Sequence, residues 1–228
     1  MSGDCDSDRR AGMQVSSDPL PDGRPRSAAV IVAHPDDETL WAGGYILSHD
    51  DCHWFIAALC RAGDPDRAPK FRRALERLGA RGAIADLDDG PEQRPLDGAL
   101  VRETVLSLLP TRVFDLILTH GPGGEYTRHL RHEETSGAVL SLWRSGELRA
   151  GSLWRFAYED GRGSYLPRVV EVADLRFPLS PTLWLQKQRV ITEIYGFAPN
   201  SWEVRTTPKE EGFQATSARP SGARAGGH

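Results

Sequence analysis

A chain of 228 residues with 39% apolar content can bury one substantial core, which predicts a single globular domain. Its net charge of −4 offers no basic face to neutralise phosphates, so nucleic acid is not an expected partner. No apolar run reaches the length of a bilayer span, and residues 1–25 lack the apolar centre of a secretory signal, so a cytoplasmic protein without a membrane anchor is expected.

Residues 1–26 are rich in Asp, Ser, Arg, Gly and Pro, and residues 206–228 in Thr, Pro, Ser, Gly and Arg. Neither segment offers enough apolar surface to offset the entropy of ordering, so both are expected to be disordered tails flanking a folded domain at 27–205. Within that domain the first strand is expected at 28–33, where every residue is apolar. A helix follows over 38–48, with Asp36 and Asp37 available to charge its first turn. A second strand covers 54–60. The next helix covers 70–78, with Phe71, Ala74, Leu75 and Leu78 at helical spacing. A weaker strand at 82–87, a helix at 96–109 and an apolar strand at 113–119 come next. After a glycine-rich loop a helix is expected at 133–143, then strands at 153–158 and 169–176 and a last helix at 183–195.

Alternation of helices with wholly apolar strands predicts an α/β fold: one Rossmann-like domain, a mainly parallel sheet with helices on both faces. Ligands in such sheets bind beyond the carboxyl ends of the strands, where strand order reverses. Should the strand at 113–119 lie beside the strand at 28–33, the loops after Ala33 and Thr119 face one crevice. Those two loops hold nearly all the metal-competent residues.

The first loop reads AHPDDE, from Ala33 to Glu38. Pro35 pushes His34 towards extended backbone, and Asp37 begins the helix, so the two side chains can converge on one ion. Zinc accepts this mixture of nitrogen and carboxylate, and a catalytic site needs three protein ligands with one position left open. The second loop reads HGPGGEYTRHLRH, from His120 to His132. His129 and His132 share a face if the helical turn starts early, and either could supply the third ligand. His120, at the end of its strand, competes with them. The Gly121–Gly124 run lacks the Lys-Ser/Thr ending of a phosphate loop, so it is taken as a flexible rim. Tyr126 on that rim and Arg61 after the second strand are candidate substrate contacts. The cysteines, Cys5, Cys52 and Cys60, form no metal clamp or disulfide framework.

The run AHPDDETLWAGG resembles the signature of the LmbE-like or PIG-L family of zinc-dependent de-N-acetylases, and the later His-x-x-His resembles that family's second block. The resemblance implies one zinc ion per chain held by His34, Asp37 and His132. It makes Asp36 the general base and His129 an acid or oxyanion stabiliser, and Glu38 a helix-start or supporting residue. It also implies a small N-acetylated, sugar-containing substrate. Arg131 departs from the pattern, since the family often carries Asp there, and a carboxylate would orient His129 where an arginine cannot. Glu125, Glu133 and Glu134 are the candidates to replace it. The leading function is thus zinc-dependent removal of an N-acetyl group from an amino sugar or its conjugate. The alternatives are a metal amidase acting on another N-acyl bond and a non-catalytic sugar-binding relative.

Overall fold

In the computed structural model, residues 25–216 are described. Of the tails expected at 1–26 and 206–228, residues 1–24 and 217–228 lie outside the described residues. The first half alternates strictly: β1 (Ser27–Val32), α1 (Asp37–Ser48), β2 (His53–Cys60), α2 (Arg67–Leu78), β3 (Arg81–Leu87), α3 (Gly98–Leu108), β4 (Val113–Thr119), α4 (Leu130–Ser145) and β5 (Arg149–Phe156). Then come β6 (Tyr158–Glu159), β7 (Arg168–Val169), β8 (Leu175–Pro178), α5 (Pro181–Arg189), α6 (Trp202–Thr206) and β9 (Glu210–Thr216). The main sheet has the order β3-β2-β1-β4-β5-β9-β8, and β6 pairs with β7 as a separate small ribbon. The five strands from β3 to β5 are parallel, while at one edge β9 pairs antiparallel with both β5 and β8.

Side chains alternate across a strand, and both faces of this sheet are covered. Ala28, Val30 and Val32 pack with Trp41 of α1 and Phe71 of α2 on one face. Ala29 and Ile31 pack with Val105 of α3 and Val139 of α4 on the other. A strand buried on both faces needs an unbroken apolar run, which is what 28–33 supplies. β1 pairs with both β2 and β4, so strand order reverses between β1 and β4 and the expected crevice lies beyond their carboxyl ends. No helix among the described residues is long and apolar enough to cross a membrane.

The carboxyl-terminal third corrects the sequence expectations in three places. Residues 210–216, assigned to a tail, form β9 between β5 and β8, with Phe213 and Glu211 fully buried. Its single large apolar residue hides the strand locally; the pairing is provided by distant neighbours. The strand expected over 169–176 is two strands, because β7 pairs with β6 and β8 with β9. The helix expected over 183–195 is α5 followed by a π-helical segment, Val190–Ile194, which delivers Tyr195 to the protein interior. The short helix α6 was not anticipated; Ser201 caps it by accepting from Val204 N.

β9 is tied to α1 and α5 by one buried ion pair. Lys187 Nζ donates to Glu211 Oε1 at 2.6 Å, and the same carboxylate accepts from the backbone N–H groups of Gly44 and Tyr45 at 2.7 Å each. A Cβ on Gly44 would sit 2.4 Å from Leu179 Cδ2, so a larger residue there would require the Leu179 side chain to move. Lys187→Ala strands a buried carboxylate, and such removals cost about 3–5 kcal/mol. The expected result is a loss of that order in urea unfolding, whereas Lys209→Ala should leave the midpoint nearly unchanged.

Candidate metal centre and cleft

β1 and β4 end side by side, and their loops carry His34, Asp37 and His132 into contact. His34 Nδ1 lies 3.3 Å from Asp37 Oδ2, His132 Nε2 lies 3.3 Å from the same oxygen, and the two ring nitrogens are 3.3 Å apart. Three ligand atoms at about 2.0–2.1 Å from a tetrahedral ion are separated by about 3.3–3.4 Å. The triangle therefore has the size of one face of a zinc tetrahedron, with the fourth position unclaimed by it. The donor set of two imidazoles and one carboxylate is of the kind found at catalytic zinc.

Two of the three candidate ligands, His132 and Asp37, are fixed by a hydrogen bond on the other side, whereas His34 Nε2 makes none among the described residues and has only Asp89 nearby. His132 Nδ1 faces Glu125 Oε2 at 2.7 Å, which leaves Nε2 for an ion. His34 Nε2 faces Asp89 Oδ1 at 3.3 Å. Asp37 Oδ1 accepts from Trp41 Nε1 at 3.2 Å, and its Oδ2 accepts from the His34 backbone N–H at 2.9 Å. Burial opposes ionisation of Asp37, but His132 and His120 outweigh it and hold the carboxyl well below the usual range. Glu125, also fully buried, is held down to about 2 against its burial by the same two histidines.

His120 stands beside the same groups, its Nε2 3.5 Å from Asp37 Oδ2, and with Asp37 and His132 it could also hold an ion, but it is engaged elsewhere. Its Nε2 accepts from the Ala33 backbone N–H at 2.9 Å, so Nδ1 carries the hydrogen and donates to Glu125 Oε2 at 2.9 Å. Both ring nitrogens are thereby engaged. Its ring stacks on His132 with centroids 3.9 Å apart, and His129 also stacks on His132, at 4.3 Å. Glu125 thus serves two histidines at once, while its Oε1 accepts from Gly121 N.

Asp36 carries backbone strain. Its φ of 108° lies where L-residues are rarely found. The conformation is secured from below: Asp36 N donates to Glu38 Oε2 at 3.0 Å, and Glu38 Oε1 accepts from Tyr195 OH at 2.8 Å and from Thr39 Oγ1. Glu38 is therefore a buried supporting residue and not a helix cap. Asp36 Oδ2 accepts from Arg67 Nη1 at 2.8 Å, leaving Oδ1 without a partner among the described residues. Burial, with the adjacent Asp37 charge, lifts the Asp36 carboxyl well above the usual range against the pull of Arg67.

His129 stands at the start of α4, with Nδ1 buried and without a hydrogen-bond partner among the described residues. Burial, then the neighbouring His132 and His34, lower its pKa to about 4. None of the glutamates suggested to replace the missing aspartate reaches it. Glu125 is taken by His120 and His132, Glu133 by Arg128, and Glu134 by Arg131 and the Leu96 N–H. Arg131 itself is buried and points elsewhere, donating to the carbonyls of Asp88 and Arg94. It anchors the segment that carries Asp89.

These residues open onto a cleft of about 400 Å³. Tyr126 and Arg61, both suggested by the sequence, line it. Tyr126 packs edge-on to Trp202 with centroids 4.7 Å apart. Arg61, with a left-handed φ of 75°, donates to Asp89 Oδ2 at 2.6 Å. Burial opposes ionisation of Asp89, but His34, Gln93 and Arg61 hold its carboxyl low. Sequence reasoning missed Asp89, Trp202 and Glu203 on this wall. Asp89 follows β3 at the same sheet end as His34, a placement that could have marked it.

A family model described as GlcNAc-PI de-N-acetylase (PIG-L) matches residues 29–143, half of the chain. A search of curated protein sequences finds no match. Among solved structures, N,N'-diacetylchitobiose deacetylase from Pyrococcus horikoshii superposes with a TM-score of 0.63 at 13% identity, covering 87% of each chain. The 4-carboxy-2-hydroxymuconate hydratase from Pseudomonas putida gives 0.58 at 16% identity, covering 88% of this chain and 100% of that one. A deacetylase of teicoplanin biosynthesis gives 0.51 at 15% identity, covering 75% and 84%. At such identities the likeness extends to the fold, and the same fold carries both deacetylases and a hydratase.

Proposed function

Because the chain belongs to the PIG-L (GlcNAc-PI de-N-acetylase) family, we propose that it is a zinc-dependent hydrolase that removes an N-acetyl group from an amino sugar or its conjugate. The observation that carries this reading is the equal-sided triangle of His34 Nδ1, Asp37 Oδ2 and His132 Nε2, with Asp36 lining the same cleft. Held by those three residues, a zinc ion would supply Lewis acidity toward water and an acyl carbonyl.

The remaining work falls to side chains. Asp36, with its pKa raised and Oδ1 free, takes the proton of the attacking water and returns it to the departing nitrogen. Arg67 fixes the direction of that carboxyl, and the Glu38–Tyr195 bond keeps its backbone in the strained turn. His129 is neutral near pH 7, so it acts by donating a ring N–H to the developing oxyanion and not as a cationic acid. Tyr126 and Arg61 on the cleft wall contact the sugar. The products are acetate and a free amine.

The test is acetate release from a panel of N-acetylglucosamine derivatives by protein of measured zinc content. Acetate in step with new amine supports the reading, and release of a different acid from other N-acyl compounds would select the broader amidase. Full zinc occupancy with no acid released from any member would reject hydrolysis.

Metal affinity should also fall with pH. Burial opposes protonation of His34 and His132, but Asp37 beside both, together with Asp89 for His34, raises each pKa above 6.5. Below those raised values the ion must displace protons, so affinity is highest on the alkaline side. Competition against a chromophoric chelator should show weakening from about pH 8 to about pH 6. A flat profile would mean that the two imidazoles are not ligands.

A further inference from the structure

The segment that carries Glu125 and Tyr126 also walls a second cavity, of about 720 Å³, which shares only Tyr126 with the lining of the metal-site cleft. Arg155, next to the last residue of β5, projects into it between Thr119 of β4 and Gln214 of β9. Its Nε is shielded from solvent and has no hydrogen-bond partner among the described residues. A guanidinium is always charged and carries five donors, and a shielded donor left unpaired is costly.

The neighbours that could satisfy Arg155 are engaged elsewhere. The Gln214 amide donates to Asp174. Asp160 accepts from both the N–H and the hydroxyl of Thr127, at 2.7 and 2.6 Å. Glu159 accepts from Tyr165 OH at 2.9 Å and faces Arg168. Arg162, on the turn beyond β6, lines the same cavity and has no ion-pair partner among the described residues. Pro122, Phe156 and Val170 supply apolar wall. Two unpaired guanidinium groups beside apolar surface match a ligand with an anionic head and an apolar body, since the arginine fork suits carboxylate and phosphate alike.

We propose that this cavity is a binding site for an organic anion, a carboxylate or phosphate monoester on an apolar body, held by Arg155 and Arg162. The site is separate from the metal triad, so it stands whether or not the chain is a hydrolase. Because Tyr126 lines both cavities, an occupant also bears on the segment that holds Glu125 against His120 and His132.

The experiment is calorimetric titration of the full chain, stripped of metal and then dialysed free of chelator, so that neither metal nor a competing carboxylate takes the anion. The probes are phenyl phosphate and benzoate, with benzyl alcohol as the neutral control. One saturable site is expected for at least one anion, and the tighter of the two identifies the head group. Arg155→Met and Arg162→Asn should each weaken it about tenfold or more; Asn is chosen because position 162 has φ of 61°, which it tolerates. His34→Ala should bind as the parent does. Absence of saturable binding, equal binding of benzyl alcohol, undiminished binding in both arginine variants, or loss in His34→Ala would overturn the proposal. If Arg155→Met fails to fold, the exposed Arg162 position decides alone.

Discussion

Asp36→Ala is expected to keep its zinc and lose turnover by about 10²–10⁴-fold, the usual contribution of a positioned acid or base. The separation arises because consecutive residues on a strained turn point different ways. Asp37 Oδ2 belongs to the ligand triangle, whereas Asp36 Oδ2 is bound by Arg67 and its Oδ1 is free. His34→Ala should do the opposite and lose the ion together with activity. Metal analysis of the two purified variants beside an acetate-release assay reads both effects. If Asp36→Ala turns over at the parental rate, Asp36 is not the base; if His34→Ala retains stoichiometric zinc, the ligand set is wrong.

Glu125→Gln should weaken zinc binding by about 10–100-fold, the range for partners that orient a metal-bound histidine, although Glu125 belongs to no ligand set. One carboxylate oxygen accepts from both His132 and His120, and the other accepts from Gly121 N. The amide of glutamine cannot do all three, because its NH₂ would face either a ring N–H or the Gly121 N–H. His132 then loses the bond that presents Nε2 to the ion. Glu133→Gln, which disturbs only an exposed pair with Arg128, is the control and should bind zinc normally. Equal zinc affinity in the two variants would remove Glu125 from any orienting role.

Much of the site was legible because its parts are local. His34, Asp36 and Asp37 lie within four residues across a strand-to-helix turn, and the apolar runs of β1 and β4 announce two buried parallel strands. Their juxtaposition is a rule of such sheets, so the meeting of His132 with the first block followed from topology. The engagement of both His120 ring nitrogens did not. It turns on a single backbone N–H, that of Ala33, aimed at Nε2. Arg131 was equally opaque: the sequence shows an arginine where a carboxylate was expected, but only packing reveals that it is buried against the carbonyls of Asp88 and Arg94 and leaves His129 alone.

The sequence by itself determined the parallel α/β core, the gathering of His34, Asp36 and Asp37 at one strand-to-helix turn, and the pairing of His129 with His132 on one helix start. These depend on periodicity and short spacing, which neighbouring residues carry. Tertiary structure decided what surrounds and holds those groups: Asp89 near His34, Glu125 bonded to His132, Tyr195 beneath Glu38, and β9 within the sheet. Each is a contact between residues distant in the chain or hidden in an irregular segment, and its worth comes from burial that no local pattern encodes.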